Sequence, residues 1–576
     1  MLIILKFIKT FNFKKLYGMW NLIKNNNIKI IFYLLIIVTF IFIFNFDRGL
    51  ELTDDSYMLL YSLYPDDTLG RLTNFGLIGN FLIKISGNDI YFFRILGFCL
   101  LLSSSILACT SVQYHFKIKK ILFFDNYYLL ISTSLAGSLC YYKFWAITPS
   151  YNMYNIVGSL IFFSGICYYN SQNTILRNLK SFFMISFGLL ICFISKPPTA
   201  IFLSFALITW NFFLHKEIFL KNITLIFLIT MGIFISYISI FFISPIYLIE
   251  DLILGYDLIK TFDSRYNIFQ LFVFSIKWIV KHVIVDYWYI FIIQILLGCY
   301  TNIKKNNFII LLYFLSIVLT TYNLNIFLFS LFIHLLFFYK KIDFKKKDHL
   351  IVLLISFVIF FISFGTNTNI DNHMQSSAIF YFILIVYFFN IYFKNYEYKN
   401  LFVIILFSSF TFINIYDNVF KPRRYDENIL RQIYPVQIPK FKNIIYVDNF
   451  TKNYLLQVNE VQLLLKKENY EYLIDYTGRN PGLNLLFGYK FISRPWWSSG
   501  YDGSDDYVKK ILEISNKKNI LNSLIITEKQ RDLRKLKLNN FQKINISFDK
   551  SYKIIGNIKV KGVKKMNVDL QVWKPR

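Results

Sequence analysis

Apolar segments long enough to cross a lipid bilayer recur along most of this chain and constrain its fold more than any other feature. A helix needs about 20 apolar residues to cross the hydrocarbon core. Hydrophobic residues make up 56% of the 576 residues and charged residues only 17%, which is too few to cover the surface of soluble domains. The pattern predicts a polytopic α-helical membrane protein. We place thirteen spans at residues 30–46, 90–113, 121–142, 152–170, 181–195, 199–214, 222–247, 284–300, 307–322, 324–339, 349–364, 377–393 and 400–416.

The distribution of basic residues predicts how the spans are oriented. The formal net charge is +28, from 62 Lys and Arg against 34 Asp and Glu. In a soluble protein this balance would suggest nucleic acid as a partner, but short basic loops on the cytoplasmic side of a membrane explain it here. Residues 1–29 are basic and no cleavage site follows the first span, so we expect a cytoplasmic N-terminus and an uncleaved span. An odd number of spans then places the C-terminus outside.

The composition changes after residue 416, where charges become dense and apolar runs shorten. We expect strands at 443–448 and 523–527, helices at 452–467 and 506–516, and paired strands between 552 and 573. The predicted organisation is a basic cytoplasmic segment (1–29), a membrane domain (30–416) with an outer loop at 47–89, and an extracytoplasmic α/β domain (417–576).

The most informative polar cluster lies at the start of the predicted outer loop. Asp54 and Asp55 are adjacent carboxylates close to the expected membrane surface. A carboxylate in that position suits a general base acting on a hydroxyl or amine. The alternative is a solvated loop start or a helix cap formed by Thr53 or Asp54, and the local sequence alone favours that alternative.

Three cations lie near predicted spans without an obvious cytoplasmic role: Arg94, Lys143 and Lys196. Ionisable groups at membrane depth are costly and are therefore candidates for function. A lipid-linked phosphate would be a natural partner for them. The alternative is that they extend to the lipid headgroups, which fits Lys143 best and Lys196 least.

Several common catalytic motifs are absent from the sequence. It contains no Walker-type or dinucleotide-binding glycine loop and no zinc-protease motif. The six histidines are scattered, and the six cysteines form no CxxC pair. We therefore assign no metal ligands and no certain cofactor, although a divalent metal ion stays open. Without a nucleotide site, a donor substrate would have to be presented by the membrane.

Three motifs, taken in order, resemble the C-type (GT-C) membrane glycosyltransferases, especially the protein O-mannosyltransferases and the lipid A aminoarabinose transferases. Asp54 and Asp55, followed by Tyr57, stand where that family usually has Asp-Glu. Residues 87–97 are similar to its turn and Arg before the second span, and residues 195–200 to its Thr-Lys-Gly-Pro segment. Thirteen spans with an external C-terminal domain match its architecture. The Asp at position 55 and the Pro at position 197 depart from the family pattern, so the resemblance does not define the donor or the acceptor.

The resemblance implies an inverting transfer of a sugar from a polyprenyl-phosphate-linked donor on the outer face of a bacterial inner membrane. Asp54 would be the base and Asp55 would support it, while Lys196 and Arg94 would neutralise the departing phosphate. The acceptor would be a lipid, a glycan or a protein, with membrane lipids as further partners and no nucleic acid. The candidate substrate contacts are Tyr57, Tyr151, Asn152, Arg265, Trp496 and Trp497; the last two lie in a loop that we expect to fold back over the membrane cavity.

Three other functional classes stay open. A polysaccharide polymerase or ligase would use arginines and a histidine in a large outer loop, and the loop at 248–283 offers Arg265 and His282. A transporter or flippase for lipid-linked glycans would place ionisable residues deep within its spans. A non-catalytic scaffold would leave the acidic pair and Lys196 dispensable.

Overall fold

The structure is a computed structural model in which the described part of the chain is mostly helical, with strands confined to the C-terminal region. It describes residues 26–67, 69–118, 123–124, 126–169, 175–214, 218–242, 245–262, 285–303, 358–363, 370–392, 399–422, 427–465, 470–478, 481–492, 494–498, 502–529, 540–560 and 568–576, together with Lys277, Lys281, Leu312, Ser316, Leu354, Ile355 and Tyr425.

Helices, most of them apolar, form most of the described residues before residue 421. Their bounds are α1 Asn26–Phe44, α2 Asp54–Leu63, α3 Phe75–Ile85, α4 Ile90–Ile118, α5 Tyr127–Cys140, α6 Tyr151–Tyr168, α7 Ile175–Ser195, α8 Pro197–Leu214, α9 Phe219–Phe241, α10 Pro245–Ile259, α11 Asp286–Ile303, α12 Ile370–Ser376, α13 Ala378–Tyr392 and α14 Lys399–Phe420.

Four of the described helices are long and apolar enough to cross a membrane: Ile90–Phe116, Asn178–Ser195, Phe219–Phe241 and Asn400–Phe420. Shorter apolar helices occupy Ile28–Phe44, Phe75–Ile85, Tyr287–Cys299 and Ala378–Tyr387. These helices fit a membrane protein, whereas the count of thirteen spans goes beyond them and stays a prediction. The predicted span at 324–339, that at 307–322 apart from Leu312 and Ser316, and half of that at 349–364 lie outside the described residues.

Small residues bring α6 and α7 into close contact. A Cβ atom added at Gly158 would lie 2.9 Å from the Gly188 carbonyl oxygen, and one added at Gly165 would lie 2.8 Å from the Ser181 carbonyl oxygen. Helices associate closely in a bilayer when small side chains let their backbones approach. This contact fixes the start of α6 beside the C-terminal end of α7, where Lys196 follows.

The C-terminal region contains two small sheets. The elements after α14 are β1 Tyr434–Gln437, β2 Ile444–Val447, α15 Asn449–Leu464, β3 Tyr472–Asp475, α16 Pro481–Phe487, α17 Ser504–Ile514, α18 Lys517–Leu521, β4 Ser523–Glu528, α19 Phe548–Ser551, β5 Tyr552–Val560 and β6 Val568–Pro575. Short 3₁₀ helices occupy Tyr141–Lys143, Ile429–Arg431 and Pro495–Ser498.

Strands β1 and β2 pair antiparallel, and the second sheet has the order β3-β4-β6-β5 with only the β3–β4 pair parallel. The predicted strands at 443–448 and 523–527, the two predicted helices and the paired strands near the C-terminus are confirmed to within a few residues. Sequence analysis missed the four-residue strands β1 and β3 because β1 contains Pro435 and Gln437 and β3 ends in Asp475, whereas β2, of the same length, is an uninterrupted apolar run. The boundary predicted at residue 417 falls inside α14, which continues to Phe420.

The C-terminal region packs directly on the segment that follows α1. The Gly49 N–H donates to the Tyr446 carbonyl at 2.8 Å, and the Tyr446 N–H donates to the Asp47 carbonyl at 2.9 Å. Gly49 has a φ of +86°, and a Cβ there would lie 2.8 Å from the Tyr425 ring, so glycine alone suits this position. The Gly482 N–H donates to the Leu52 carbonyl at 2.8 Å. Hydrogen bonds to β2 and α16 thus fix the position of the start of the predicted outer loop.

The second predicted outer loop reaches the same region. Its described part contains α10, whose Asp257 carbonyl accepts a hydrogen bond from Lys510 Nζ at 3.2 Å. Phe262 packs its ring 5.2 Å from Trp497 and 5.3 Å from Tyr507. Both predicted outer segments therefore contact the C-terminal region, which is the arrangement expected if all three lie on one side of a membrane.

Candidate functional site

The acidic pair lies at the first turn of α2, and the side chain of Glu51 organises that turn. Glu51 Oε2 accepts the Asp55 N–H at 3.1 Å, and Glu51 Oε1 accepts the Thr53 hydroxyl. The Glu51 carbonyl accepts both the N–H and the hydroxyl of Ser56, at 3.0 and 2.7 Å. Thr53 lies at the N-cap position of α2, as the alternative interpretation allowed, but its side chain makes no capping bond. Glu51, which sequence analysis did not select, takes that role.

The two aspartates of the pair occupy different environments. Asp54 is half-buried at the N-terminal end of α2. Asp55 is fully buried, and its Oδ2 forms an ion pair with Arg94 Nη2 at 2.9 Å. Asp55 Oδ1 has no hydrogen-bond partner among the described residues. Asp54 is thus the more accessible carboxylate, and Asp55 is the one fixed by the protein.

Arg94 is fully buried and uses all five of its N–H groups within the chain. Its acceptors are Thr148 Oγ1 at 3.1 Å from Nε, the Phe46 and Arg48 carbonyl oxygens at 2.9 and 3.2 Å from Nη1, and the Gly49 carbonyl oxygen and Asp55 Oδ2 at 2.8 and 2.9 Å from Nη2. A guanidinium with every donor occupied holds the turn before α2 and the Asp55 side chain in place. In this arrangement it has no N–H left for a phosphate.

Aromatic rings line the face of α2 beyond the acidic pair. Tyr57 stacks on Tyr61 with ring centroids 5.9 Å apart, and both contact Phe75 of α3, at 6.3 and 4.7 Å. Phe75 in turn lies 5.6 Å from Tyr151 at the start of α6. Two of the predicted substrate contacts, Tyr57 and Tyr151, therefore flank the same phenylalanine.

Lys196 occupies the junction between α7 and α8 and is almost completely buried. Its Nζ donates to the Ile362 carbonyl oxygen at 2.6 Å. Asn155 of α6 shares that acceptor at 3.5 Å and also donates to Thr199 Oγ1 at 3.1 Å. Within the described residues Lys196 has no carboxylate partner, and a buried ammonium without a counter-ion is costly. An anionic ligand would relieve that cost.

Buried polar atoms without partners accompany Lys196. Both side-chain atoms of Asn152, the Nε1 of Trp145 and the Oδ1 of Asn155 lack hydrogen bonds in the described structure. Asn152 and Asn155 are three residues apart and therefore share one face of α6. Such groups are normally satisfied, so these atoms are available to hydrogen-bond a polar ligand.

Hydrogen bonds connect the surroundings of the acidic pair with those of Lys196. Arg94, which holds Asp55, also donates to Thr148 just before α6. The N–H of Asn74, which immediately precedes α3 in the predicted outer loop, donates to the Ile194 carbonyl at 2.8 Å, two residues before Lys196. The segments that carry Asp55 and Lys196 are thus linked through α3 and the start of α6.

The remaining predicted substrate contacts are Arg265, Trp496 and Trp497. Trp497 packs in the core of the C-terminal region against Phe262 and Tyr507, so its ring is a packing group there. Arg494, which sequence analysis did not select, lies over the Trp497 ring at 4.5 Å. Arg265 and the Trp496 side chain lie outside the described residues. The signal that could have singled out Arg494 is an arginine placed beside two tryptophans.

The described residues contain no group of three or more His, Cys, Asp or Glu side chains close enough to hold a metal ion. A small pocket in the C-terminal region borders β3 and α17 and includes none of the residues selected above. Comparison of the chain with protein-family models, curated proteins and solved structures found no match.

Proposed function

We propose that this chain is a membrane glycosyltransferase that moves a sugar from a polyprenyl-phosphate-linked donor to an acceptor in cell-envelope glycan synthesis. The observation that carries the proposal is that packed neighbours link a half-buried carboxylate, Asp54, to a buried ammonium without a described counter-ion, Lys196. Tyr57, on the helix that begins at Asp54, contacts Phe75, which contacts Tyr151 of α6, and Asn155 of α6 shares the Ile362 carbonyl with Lys196 Nζ. An acid–base group and a cation beside apolar helices suit a substrate that is itself anchored in lipid.

In the proposed reaction, Asp54 accepts the proton of an acceptor hydroxyl as its oxygen attacks the anomeric carbon of the donor sugar. The bond between that carbon and the phosphate oxygen breaks, and the phosphate leaves with the bonding electrons. Lys196 neutralises the negative charge that develops on the leaving phosphate. Attack opposite the leaving group inverts the anomeric centre.

Asp55 and Arg94 have supporting roles in this proposal. Their ion pair fixes the first turn of α2 and therefore the direction of the neighbouring Asp54. Asn152 and Trp145 offer unpaired polar atoms to the sugar hydroxyls. The sugar, the carrier lipid and the acceptor would be identified by mass analysis of surface glycans from cells with and without the protein; identical glycans in both would contradict the proposal.

The proposal requires the acidic pair and the C-terminal region to face the outside of a bacterial inner membrane. We expect a reporter enzyme that works only outside the cytoplasm to be active when fused after Arg576. The same reporter fused within residues 1–29 should be inactive, because that segment is predicted to be cytoplasmic. The reverse pattern would place Asp54 in the cytosol and remove the basis for a lipid-linked donor on the outer face.

For Lys196→Ala, we expect the KM for the lipid-linked donor to rise about 10-fold to 100-fold, because one charge-assisted contact to the phosphate is lost. Lys84→Ala, which removes an exposed lysine of α3, is the matched control and should leave the KM unchanged. Donor titrations of transfer in isolated membranes measure both variants. An unchanged donor KM in Lys196→Ala would exclude Lys196 from the donor site.

A further inference from the structure

Arg494 is a buried arginine whose guanidinium is only partly used by the protein. The residue is 9% exposed, and neither Nε nor Nη2 finds a hydrogen-bond acceptor among the described residues. No ion pair to Arg494 occurs in the described part of the chain either. Its fixed contacts are the Trp497 ring, 4.5 Å from the guanidinium carbon, and a bond from its backbone N–H to the Tyr507 hydroxyl at 3.2 Å.

The Trp497 ring, on which this guanidinium lies, is held in place by packing. Trp497 packs against Phe262 from the second predicted outer loop and against Tyr507 of α17. Trp497 and Tyr507 are both buried. Stacking on an aromatic ring orients a guanidinium while leaving its N–H groups free in the plane of the fork. Arg494 is therefore preorganised to bind a group that the described residues do not provide.

The charge of Arg494 acts on the aromatic face of α2. Burial raises the pKa of Tyr57, and the positive charge of Arg494 opposes that rise; the same two effects act on Tyr61. Arg494 thus lies within electrostatic range of the helix that begins with Asp54. Arg494 belongs to the C-terminal region, which contacts the segment before α2 through the hydrogen bond between Gly482 and Leu52.

An unpaired buried guanidinium costs folding free energy, so its presence points to a ligand that pairs with it. The planar fork matches two oxygens of a phosphate group. Arg94, which pairs with Asp55, has no donor free for that purpose.

We propose that Arg494, stacked on Trp497, forms a phosphate-binding subsite where the C-terminal region meets α2, and that it holds a phosphate group of the substrate. This inference rests on the proposed function for the identity of the substrate. It assigns the C-terminal region a direct part in binding.

The experiment measures binding without requiring any transfer. Full-length protein in detergent is titrated calorimetrically with inorganic phosphate, inorganic pyrophosphate, a short-chain prenyl phosphate and glucuronate. The variants are Arg494→Met, Arg494→Lys and the control Arg431→Met, which removes an exposed arginine of the same region. We expect Arg494→Met to weaken binding of the prenyl phosphate about 10-fold to 100-fold, Arg494→Lys to give an intermediate loss, and the control to bind normally.

Comparison of the four titrated compounds shows which part of the ligand Arg494 recognises. An effect of Arg494 on inorganic phosphate or pyrophosphate shows that the phosphate group is sufficient, and an effect confined to prenyl phosphate shows that the isoprenoid is also needed; both support the subsite. Binding of glucuronate alone would overturn the phosphate assignment. Equal affinity of wild type and Arg494→Met for every phosphate probe would overturn the subsite.

Thermal unfolding without ligand separates a binding role from a structural one. Because an unpaired buried charge destabilises the folded state, Arg494→Met should unfold at a higher temperature than the wild type. A lower unfolding temperature would show that Arg494 stabilises the fold and would overturn the proposal. Phosphate binding that depends on Arg494, in a protein that transfers no sugar, would refute the proposed function while leaving the subsite intact.

Discussion

Asp54→Asn is expected to abolish sugar transfer while the protein stays inserted and abundant. Asparagine has nearly the same shape as aspartate but cannot accept the proton of the acceptor hydroxyl. General-base catalysis contributes roughly a 10²-fold to 10⁴-fold rate enhancement, so a loss of that size is the expected result. Asp54 is half-buried at the first turn of α2, and we expect little effect on folding. Transfer of labelled sugar in isolated membranes, normalised to protein amount, is the measurement.

The matched control for Asp54 is Asp66→Asn. Asp66 lies in the same predicted outer loop, and its side chain is 79% exposed beside Arg71. An exposed ion pair contributes little to stability, so this variant should retain activity. Full transfer activity in Asp54→Asn would refute the assignment of the base, and equal losses in both variants would point to a general effect on the loop.

Breaking the Arg94–Asp55 ion pair is expected to give the largest loss of stability. Removal of one partner of a buried pair typically costs about 3–5 kcal/mol, because the remaining charge is left uncompensated. Arg94→Gln would also leave the Phe46, Arg48 and Gly49 carbonyl oxygens with fewer donors. We therefore expect a strongly lowered unfolding temperature and a low yield of folded protein, measured in detergent by intrinsic fluorescence.

A double-mutant cycle tests whether the ion pair itself is responsible. Asp55→Asn and Arg94→Gln should each destabilise the protein, and the double variant should be less destabilised than the sum of the two, since the coupling between them is already lost in either single variant. Arg431→Gln is the control, because Arg431 is exposed, and it should leave the unfolding temperature unchanged. Strictly additive effects of the two substitutions would contradict the coupling.

The membrane character of this chain could be predicted because hydrophobic length is a local property. A run such as residues 90–113 reveals its helix without knowledge of its neighbours, and α4 covers it. Helices α2, α3 and α10 were not predicted within the outer loops. They contain fifteen residues or fewer, and they are stabilised by contacts with each other and with the C-terminal region, which no local pattern reveals.

The candidate site was predicted in part for the same reason. Adjacent aspartates at position 54 and a lysine between two predicted spans are visible in the sequence. The saturation of Arg94 by carbonyl groups of a distant segment is not visible, because it depends on how the turn after α1 folds over α4. The unpaired guanidinium of Arg494 likewise emerges only when α16 and its neighbours pack onto the start of α2.

The sequence by itself determined that the chain is rich in apolar helices, that a charged α/β region follows them, and which acidic and basic residues stand near predicted spans. Hydrophobic periodicity and charge are encoded within single segments, so they can be read without coordinates. Only the tertiary structure decided which charges have a partner among the described residues and which do not. Pairing depends on contacts between residues tens or hundreds of positions apart, as between Arg94 and Asp55 or between Lys196 and Ile362.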